Sequence, residues 1–189
     1  MKPSAMVPIT QGCEEIEAVS VIDILRRAGV KVTVAAVAAG QSEPVLQVTA
    51  SRGVRLVADC FLEDCRDQQY DAIVLPGGLP GAEHLRDCDL LARLLKEQDA
   101  REDVVAAICA SPAVVLQHHD LIRDRRATCY PGMMDQLPAG SRSGERVVTA
   151  GNLITSRGPG TALEFSLAVV KALCGPEKRD EIAGQLLLP

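Results

Sequence analysis

The 189-residue sequence has no tryptophan, and Phe61, Phe165, Tyr70 and Tyr130 are its only aromatic side chains of the Phe/Tyr type. A core must therefore be built from Val, Ala, Leu and Ile, and a hydrophobic share of 47% supplies enough of them for one domain spanning residues 1–189. Such small and β-branched residues suit buried parallel strands. Excess positive charge is also missing: 20 Lys and Arg face 25 Asp and Glu, for a net charge of −5. General electrostatic attraction to nucleic acid or to an anionic membrane is thereby excluded.

No stretch reaches the ~18 consecutive apolar residues of a membrane span, and the start, Met1 to Thr10, has no apolar run of signal-peptide length. A cytoplasmic location is expected. Seven cysteines are present without any C-x-x-C pair, which reads as free thiols, and the three histidines lack cysteines at ligand spacing. No structural metal is expected.

What is there is an alternation of short apolar runs with longer amphipathic stretches, the pattern of an α/β protein with a mostly parallel sheet. Strands are expected at Ala5–Thr10, Val30–Ala38, Asp71–Leu75 and Val104–Ile108, and helices at Glu14–Ala28, Leu85–Asp99, Thr161–Leu173 and Glu177–Leu187. Two short antiparallel strands fit Val45–Val48 and Val54–Val57; further strands fit Arg126–Cys129, Arg146–Thr149 and Leu153–Thr155. In the first helix, Ile16, Val19, Ile22 and Leu25 repeat every three residues and predict the face turned to the sheet. Glu14 and Glu15 are assigned to a solvated first turn, while Glu17 lies close to the buried stripe.

Three strand ends carry chemistry. Val104-Val-Ala-Ala-Ile-Cys109 meets Ala110-Ser111-Pro112, so an apolar strand reaches a cysteine and turns at once into a helix running to about His118. This is the layout of a nucleophile elbow, in which a tight turn lifts the nucleophile above the sheet and helix amides favour its thiolate. The alternative is a small buried hydrophobe at a strand end. Its place at the carboxyl end of a strand, where ligands of open α/β sheets bind, favours the reactive reading. Val74-Leu-Pro-Gly77-Gly78 exposes backbone amides at a second strand end, able with the Ala110 amide to form an oxyanion pocket. At the third, Glu17 is either an ordinary helix-surface glutamate or a partly desolvated carboxylate whose raised pKa would let it move a proton to or from a neighbouring sulfur.

Six segments in order resemble the ThiJ/PfpI (DJ-one) superfamily, particularly its YajL-like, parkinsonism-linked deglycase branch: Glu14-Glu-Ile-Glu17, Arg26-Arg-Ala-Gly-Val-Lys-Val-Thr33, Ser51-Arg52, Val74 to Gly78, Ala106 to Ala110, and Thr155-Ser-Arg-Gly-Pro-Gly-Thr161. The resemblance implies a flavodoxin-like three-layer sandwich, usually a homodimer, with no cofactor. It also implies that Cys109 is the reactive cysteine with Glu17 as its partner, that Gly77, Gly78 and Ala110 are backbone donors, and that Arg27 and Arg52 line the site near the dimer interface.

The implied activities are glutathione-independent glyoxalase chemistry on small dicarbonyls or deglycation of early protein adducts, with Glu17 as proton shuttle. The alternative is a redox-sensing holdase for unfolded clients, controlled by oxidation of Cys109 to a sulfinate. Departures narrow the choice. Ala110 stands where protease-like members carry histidine, so their dyad is absent, and no histidine follows His119 to serve amidotransferase chemistry. Tyr130 replaces a histidine near the cysteine and is a poor base near neutral pH. His118 and His119 lie about 14 Å along a helix from Cys109, too far to replace it. Ser111 is expected to cap the helix or touch the thiolate. A flavin-binding flavodoxin is disfavoured, since no phosphate-cradling loop follows the first strand.

Overall fold

The computed structural model describes residues 2–38 and 45–188. Its centre is a seven-stranded sheet built from β1 (Ser4–Ile9), β2 (Lys31–Ala36), β5 (Cys60–Phe61), β6 (Ala72–Leu75), β7 (Val104–Ile108), β8 (Val147–Ala150) and β9 (Leu153–Ser156). The order is β5-β2-β1-β6-β7-β9-β8, parallel throughout except for the β8–β9 hairpin. A separate antiparallel pair joins β3 (Gln47–Thr49) to β4 (Arg55–Val57). That pair bears out the two strands expected in this region; residues 39–44 of the same expected segment lie outside the described residues.

The period of two along each strand divides the core between both faces of the sheet. Ala5, Val7 and Ile9 of β1, Val74 of β6 and Ile108 of β7 point to one side, where α1 (Glu15–Arg27), α4 (Ala162–Cys174) and α5 (Pro176–Gln185) cover them. Met6, Ile73, Leu75, Val105 and Ala107 point to the other, under α2 (Gly81–Arg86), α3 (Asp89–Ala100) and a wide helical turn over Pro112–Leu116. The result is the expected flavodoxin-like three-layer α/β sandwich. Phe165 of α4 is the bulkiest of the fully buried side chains; its truncation to alanine costs on the order of 3–5 kcal/mol.

Five local expectations are corrected. The helix expected at Leu85–Asp99 is two helices, α2 and α3, parted at Asp87 and Cys88, where Cys88 takes extended dihedrals and caps α3. The break lets α2 swing against the Pro112–Leu116 turn while α3 stays on the sheet. Arg126–Cys129 is not a strand but an extended connection, pinned by the Thr128 amide on Thr155 Oγ1 at 3.0 Å and by a lone bridge between Ala127 and Arg142. The helix after Cys109 opens into the wider turn, with the Gln117 amide on the Pro112 carbonyl at 3.0 Å.

In α1 the buried face is Glu17, Ala18, Val21, Ile24 and Leu25, whereas Ile16 and Val19 are 55% and 45% exposed. The three-residue repeat marked a second apolar face, because α4 packs on the side that carries Val21 and Ile24. Glu15 is likewise buried rather than solvated, its carboxylate holding the Ser51 hydroxyl and the Arg52 amide, both at 2.8 Å.

Candidate active site

The sheet reverses its winding between β1 and β6, and the carboxyl ends of β1, β6 and β7 open there together. Cys109 follows β7 with φ of +64°, a left-handed conformation that costs a non-glycine residue about 1–2 kcal/mol. Two neighbours hold it there: its amide donates to the Ser156 carbonyl at 3.0 Å, and its carbonyl accepts from the Tyr130 amide at 2.8 Å. The turn therefore has the strained backbone expected of a nucleophile elbow.

The glycines after β6 are required by close approach. A Cβ on Gly77 would lie 2.6 Å from Cys109 Cβ, and one on Gly78, whose φ is +88°, would lie 2.6 Å from the Glu14 amide nitrogen. With no side chain between them, the two strand ends meet, and the Gly78 and Ala110 amides interact with the Cys109 sulfur and lower its pKa. The Gly77 amide has a different partner from the one expected: it donates to Glu17 Oε2 at 2.8 Å. It orients the carboxyl rather than an oxyanion.

Glu17 is fully buried. Glu14 caps its helix, accepting from the Glu17 amide at 2.8 Å, and the Glu14 amide donates to the Gly77 carbonyl at 2.9 Å. Burial pushes the Glu17 carboxyl up to about 7, opposed by the Gly77 amide and the Cys109 thiol. Burial, then the Glu17 charge, push the Cys109 thiol up to about 12, opposed by the Gly78 and Ala110 amides.

The two groups titrate as one system. Below about pH 7 the pair holds two protons, and between about 7 and about 12 it holds one. The Gly78 and Ala110 amides favour placing it on the carboxyl, with a thiolate opposite, and the Gly77 amide favours the reverse. Glu17 Oε1 is buried with no other hydrogen-bond partner, leaving it for the sulfur.

A cleft of about 460 Å³ opens over the sulfur, lined by Glu14, Ser51, Arg52, Gly78, Leu79, Cys109, Ala110, Tyr130, Met133 and Pro159. A depression of about 710 Å³ at the amino end of β7, beside Val104, Asn152 and Lys171, contains no cysteine or histidine. Among the described residues, no cluster of three His, Cys, Asp or Glu side chains is arranged to hold a metal, and no helix is long and apolar enough to cross a membrane.

Arg52 and Tyr130 lie in the lining of this cleft, whereas Arg27 and Ser111 of the same chain do not. Arg27 pairs with Asp23 at 2.6 Å on the exposed side of α1 and does not reach this cleft. Ser111 neither caps a helix nor touches the sulfur: its buried hydroxyl donates to the Pro76 carbonyl at 2.6 Å, tying the β7 turn to the β6 turn. Sequence reasoning missed Leu79, Met133 and Pro159 as an apolar wall. Leu79 directly follows the two glycines and was within reach of it, whereas Met133 arrives from a remote turn without any local signal.

A family model described as the DJ-1/PfpI family matches residues 3–172. The chain belongs to this family. It is 49% identical over 176 residues to "Protein DJ-1 homolog B" of Arabidopsis thaliana, a match covering 93% of this chain and 39% of the plant protein. The chain thus spans about two-fifths of that relative's length. It is 37% identical to "Glutathione-independent glyoxalase DJR-1.2" of Caenorhabditis elegans, across 94% of this chain and 92% of that one. Among solved structures, "Toxoplasma gondii DJ-1, oxidized" superposes with a TM-score of 0.94 at 45% identity, covering 98% of both chains. Family membership fits the elbow and the single parallel sheet on which it stands.

Proposed function

We propose that this chain is a cysteine-dependent stress-protection enzyme of the cytoplasm, acting on small 2-oxoaldehydes as a glutathione-independent glyoxalase. The observation that carries the reading is a fully buried Glu17 carboxyl against the Cys109 sulfur, with the Gly78 and Ala110 amides on the same sulfur. The Caenorhabditis relative bears that activity in its name.

In this mechanism the thiolate adds to the aldehyde carbon, the resulting oxyanion meets the Gly78 and Ala110 amides, and protonated Glu17 gives it a proton, which leaves a hemithioacetal and a free carboxylate. Glu17 takes the proton from that carbon and returns it to the adjacent one as the ketone is reduced to an alcohol. The product is a thioester of a 2-hydroxy acid, and water cleaves it to free acid and thiol. Electrons move only between the two substrate carbons, so no cofactor is needed. On an early protein glycation adduct, the same pair would act with an amine as leaving group, which is the deglycase form of the reaction.

The test is lactate formation from methylglyoxal without glutathione, by wild type, Cys109→Ser and Glu17→Gln. Each substitution is expected to remove at least ~99% of turnover, since nucleophile and proton carrier act as a unit. Wild-type turnover in either variant overturns the mechanism. Tyr130→Phe, by contrast, retains turnover within about threefold, because a phenol is a poor base near neutral pH.

A second reading, a redox-controlled holdase for unfolded clients, is favoured by the same geometry: a sulfinate on Cys109 would accept from the Gly78 and Ala110 amides and from protonated Glu17. Peroxide would then abolish turnover while increasing suppression of client aggregation.

We also infer a homodimer. Ile16 and Val19 of α1 and Val54 beside β4 are 55%, 45% and 48% exposed, and Glu15 at the start of α1 holds the amide of Arg52, which lines the cleft, at 2.8 Å. A second copy covering them would bring its own Arg27 near that cleft. Val19→Asp is expected to shift the sedimenting mass to that of one chain.

A further inference from the structure

Cys60 and Cys65, two of the seven free cysteines, are in direct contact, with their sulfurs 3.6 Å apart and nothing between them. Cys60 lies on β5, the edge strand of the sheet, and Cys65 ends the tight helical turn Leu62–Cys65 that follows. That turn is locally built: Asp64 Oδ2 accepts from the Phe61 amide at 3.1 Å and bends the chain back on itself. Cys60 is half-buried and Cys65 is fully buried behind it. Four strand-to-strand steps separate β5 from β7, which at about 4.8 Å each puts the pair roughly 19 Å from Cys109. Neither the cleft nor its chemistry uses these thiols.

We propose that Cys60 and Cys65 form a second redox centre, a dithiol that closes to an intrachain disulfide when a hydroperoxide reaches Cys60. The peroxide oxygen transfers to the Cys60 sulfur, giving a sulfenic acid and releasing an alcohol, or water from hydrogen peroxide. The Cys65 sulfur then attacks the Cys60 sulfur, the S–S bond forms, and the sulfenic hydroxyl leaves as water with the Cys65 proton. Two thiols lose two electrons and two protons, and the peroxide gains both.

To reach a bond length of about 2.05 Å the sulfurs must close by about 1.5 Å, a torsional adjustment for side chains already turned toward each other. Cys65 is placed to trap the sulfenic acid before a second oxygen adds. Burial, the Cys65 thiol and the carboxylates of Asp64 and Asp59 push the Cys60 thiol up to about 12, which slows its reaction with peroxide relative to a free thiolate.

Trypsin tests the proposal directly, because cleavage after Arg55 and Arg66 releases both cysteines on one peptide, residues 56–66. The full chain is treated with hydrogen peroxide, unfolded, alkylated without reductant and digested. The expected peptide is unalkylated and about 2 Da lighter than its dithiol form, and it alkylates twice after dithiothreitol. The same 2 Da loss is expected in Cys109→Ser, whatever becomes of the proposed enzymatic activity, and none in Cys60→Ser. Two alkylated cysteines in peptide 56–66 from protein whose Cys109 is fully converted to sulfinate would overturn the proposal. So would separate oxygen additions on each cysteine, or a link from either to another peptide.

Discussion

Gly77 and Glu17 are joined by a 2.8 Å hydrogen bond from a backbone amide to one carboxyl oxygen, Oε2, which leaves Oε1 for the sulfur of Cys109. The carbonyl of Gly77 accepts from the Glu14 amide at 2.9 Å, so one peptide segment after β6 holds the start of α1 at two points. Glu17 is thus positioned by the strand end that also carries the Gly78 donor. The Glu17 carboxyl and the Gly78 amide beside the sulfur therefore cannot move independently.

The first consequence concerns Cys109 itself. The pair loses one of its two protons near pH 7 and the other near 12. Alkylation of Cys109 by iodoacetamide, followed by mass spectrometry, is expected to rise through about pH 7 and then level off. In Glu17→Gln that step disappears, because the thiol titrates alone. A wild-type profile with a single ordinary midpoint near 8.5 would refute the shared proton.

The same carboxyl links stability to pH. Its folded value, about 7, lies above the ordinary 4.5, so the native state holds the proton more tightly than the unfolded chain. The resulting stabilisation is complete below about pH 4.5 and is lost as pH rises through 7. A shift of this size corresponds to about 3 kcal/mol across that window. Glu17→Gln is expected to be the more stable protein at pH 8 and to lose that advantage at pH 5, as read by urea denaturation at the two pH values.

Gly77→Ala tests the close approach of the two strand ends. The added methyl would sit 2.6 Å from Cys109 Cβ and 2.8 Å from the Ile108 carbonyl oxygen, both on a backbone that cannot yield. Overpacking of this kind costs about 1–3 kcal/mol and displaces the elbow. Thermal denaturation should show the loss, and alkylation should show Cys109 responding like a free thiol.

Away from the site, Asp99 of α3 binds Arg125 at 2.8 Å and Arg123 at 3.2 Å, with its side chain only 3% exposed. The Asn152 amide, at the tip of the β8–β9 hairpin, reaches the same carboxylate at 3.2 Å. Asp99→Ala leaves Arg125 half-buried without its anion. The expected cost is about 2–3 kcal/mol, below the ~3–5 of a fully enclosed pair because both arginines keep access to water. Denaturant unfolding of the variant, with site alkylation unchanged, checks it.

Most of the sheet was legible because its strands are short apolar runs that end in glycine, proline or cysteine, as Asp71–Leu75 and Val104–Ile108 do. β5 was not, since two residues carry no period. The α2–α3 break was hidden because Asp87 and Cys88 interrupt a good helical pattern without a proline or glycine.

Cys109, Glu17, Gly78 and Ala110 were legible as site residues because each stands at a strand end or helix start, where local sequence dictates backbone geometry. The residues read wrongly were those whose partners are distant in sequence. Ser111 turned to Pro76, Gly77 to Glu17 and Glu15 to Ser51, in each case because a buried polar group takes whichever partner the packed fold brings within reach. By itself the sequence determined the parallel sheet and the elbow, both set by local period and turn chemistry, and its family resemblance singled out Cys109 and Glu17 as the candidate pair. Only the tertiary structure decided which face of α1 is buried, which amide orients the carboxyl, and that Cys60 and Cys65 touch, because these depend on what packs against each group from elsewhere in the chain.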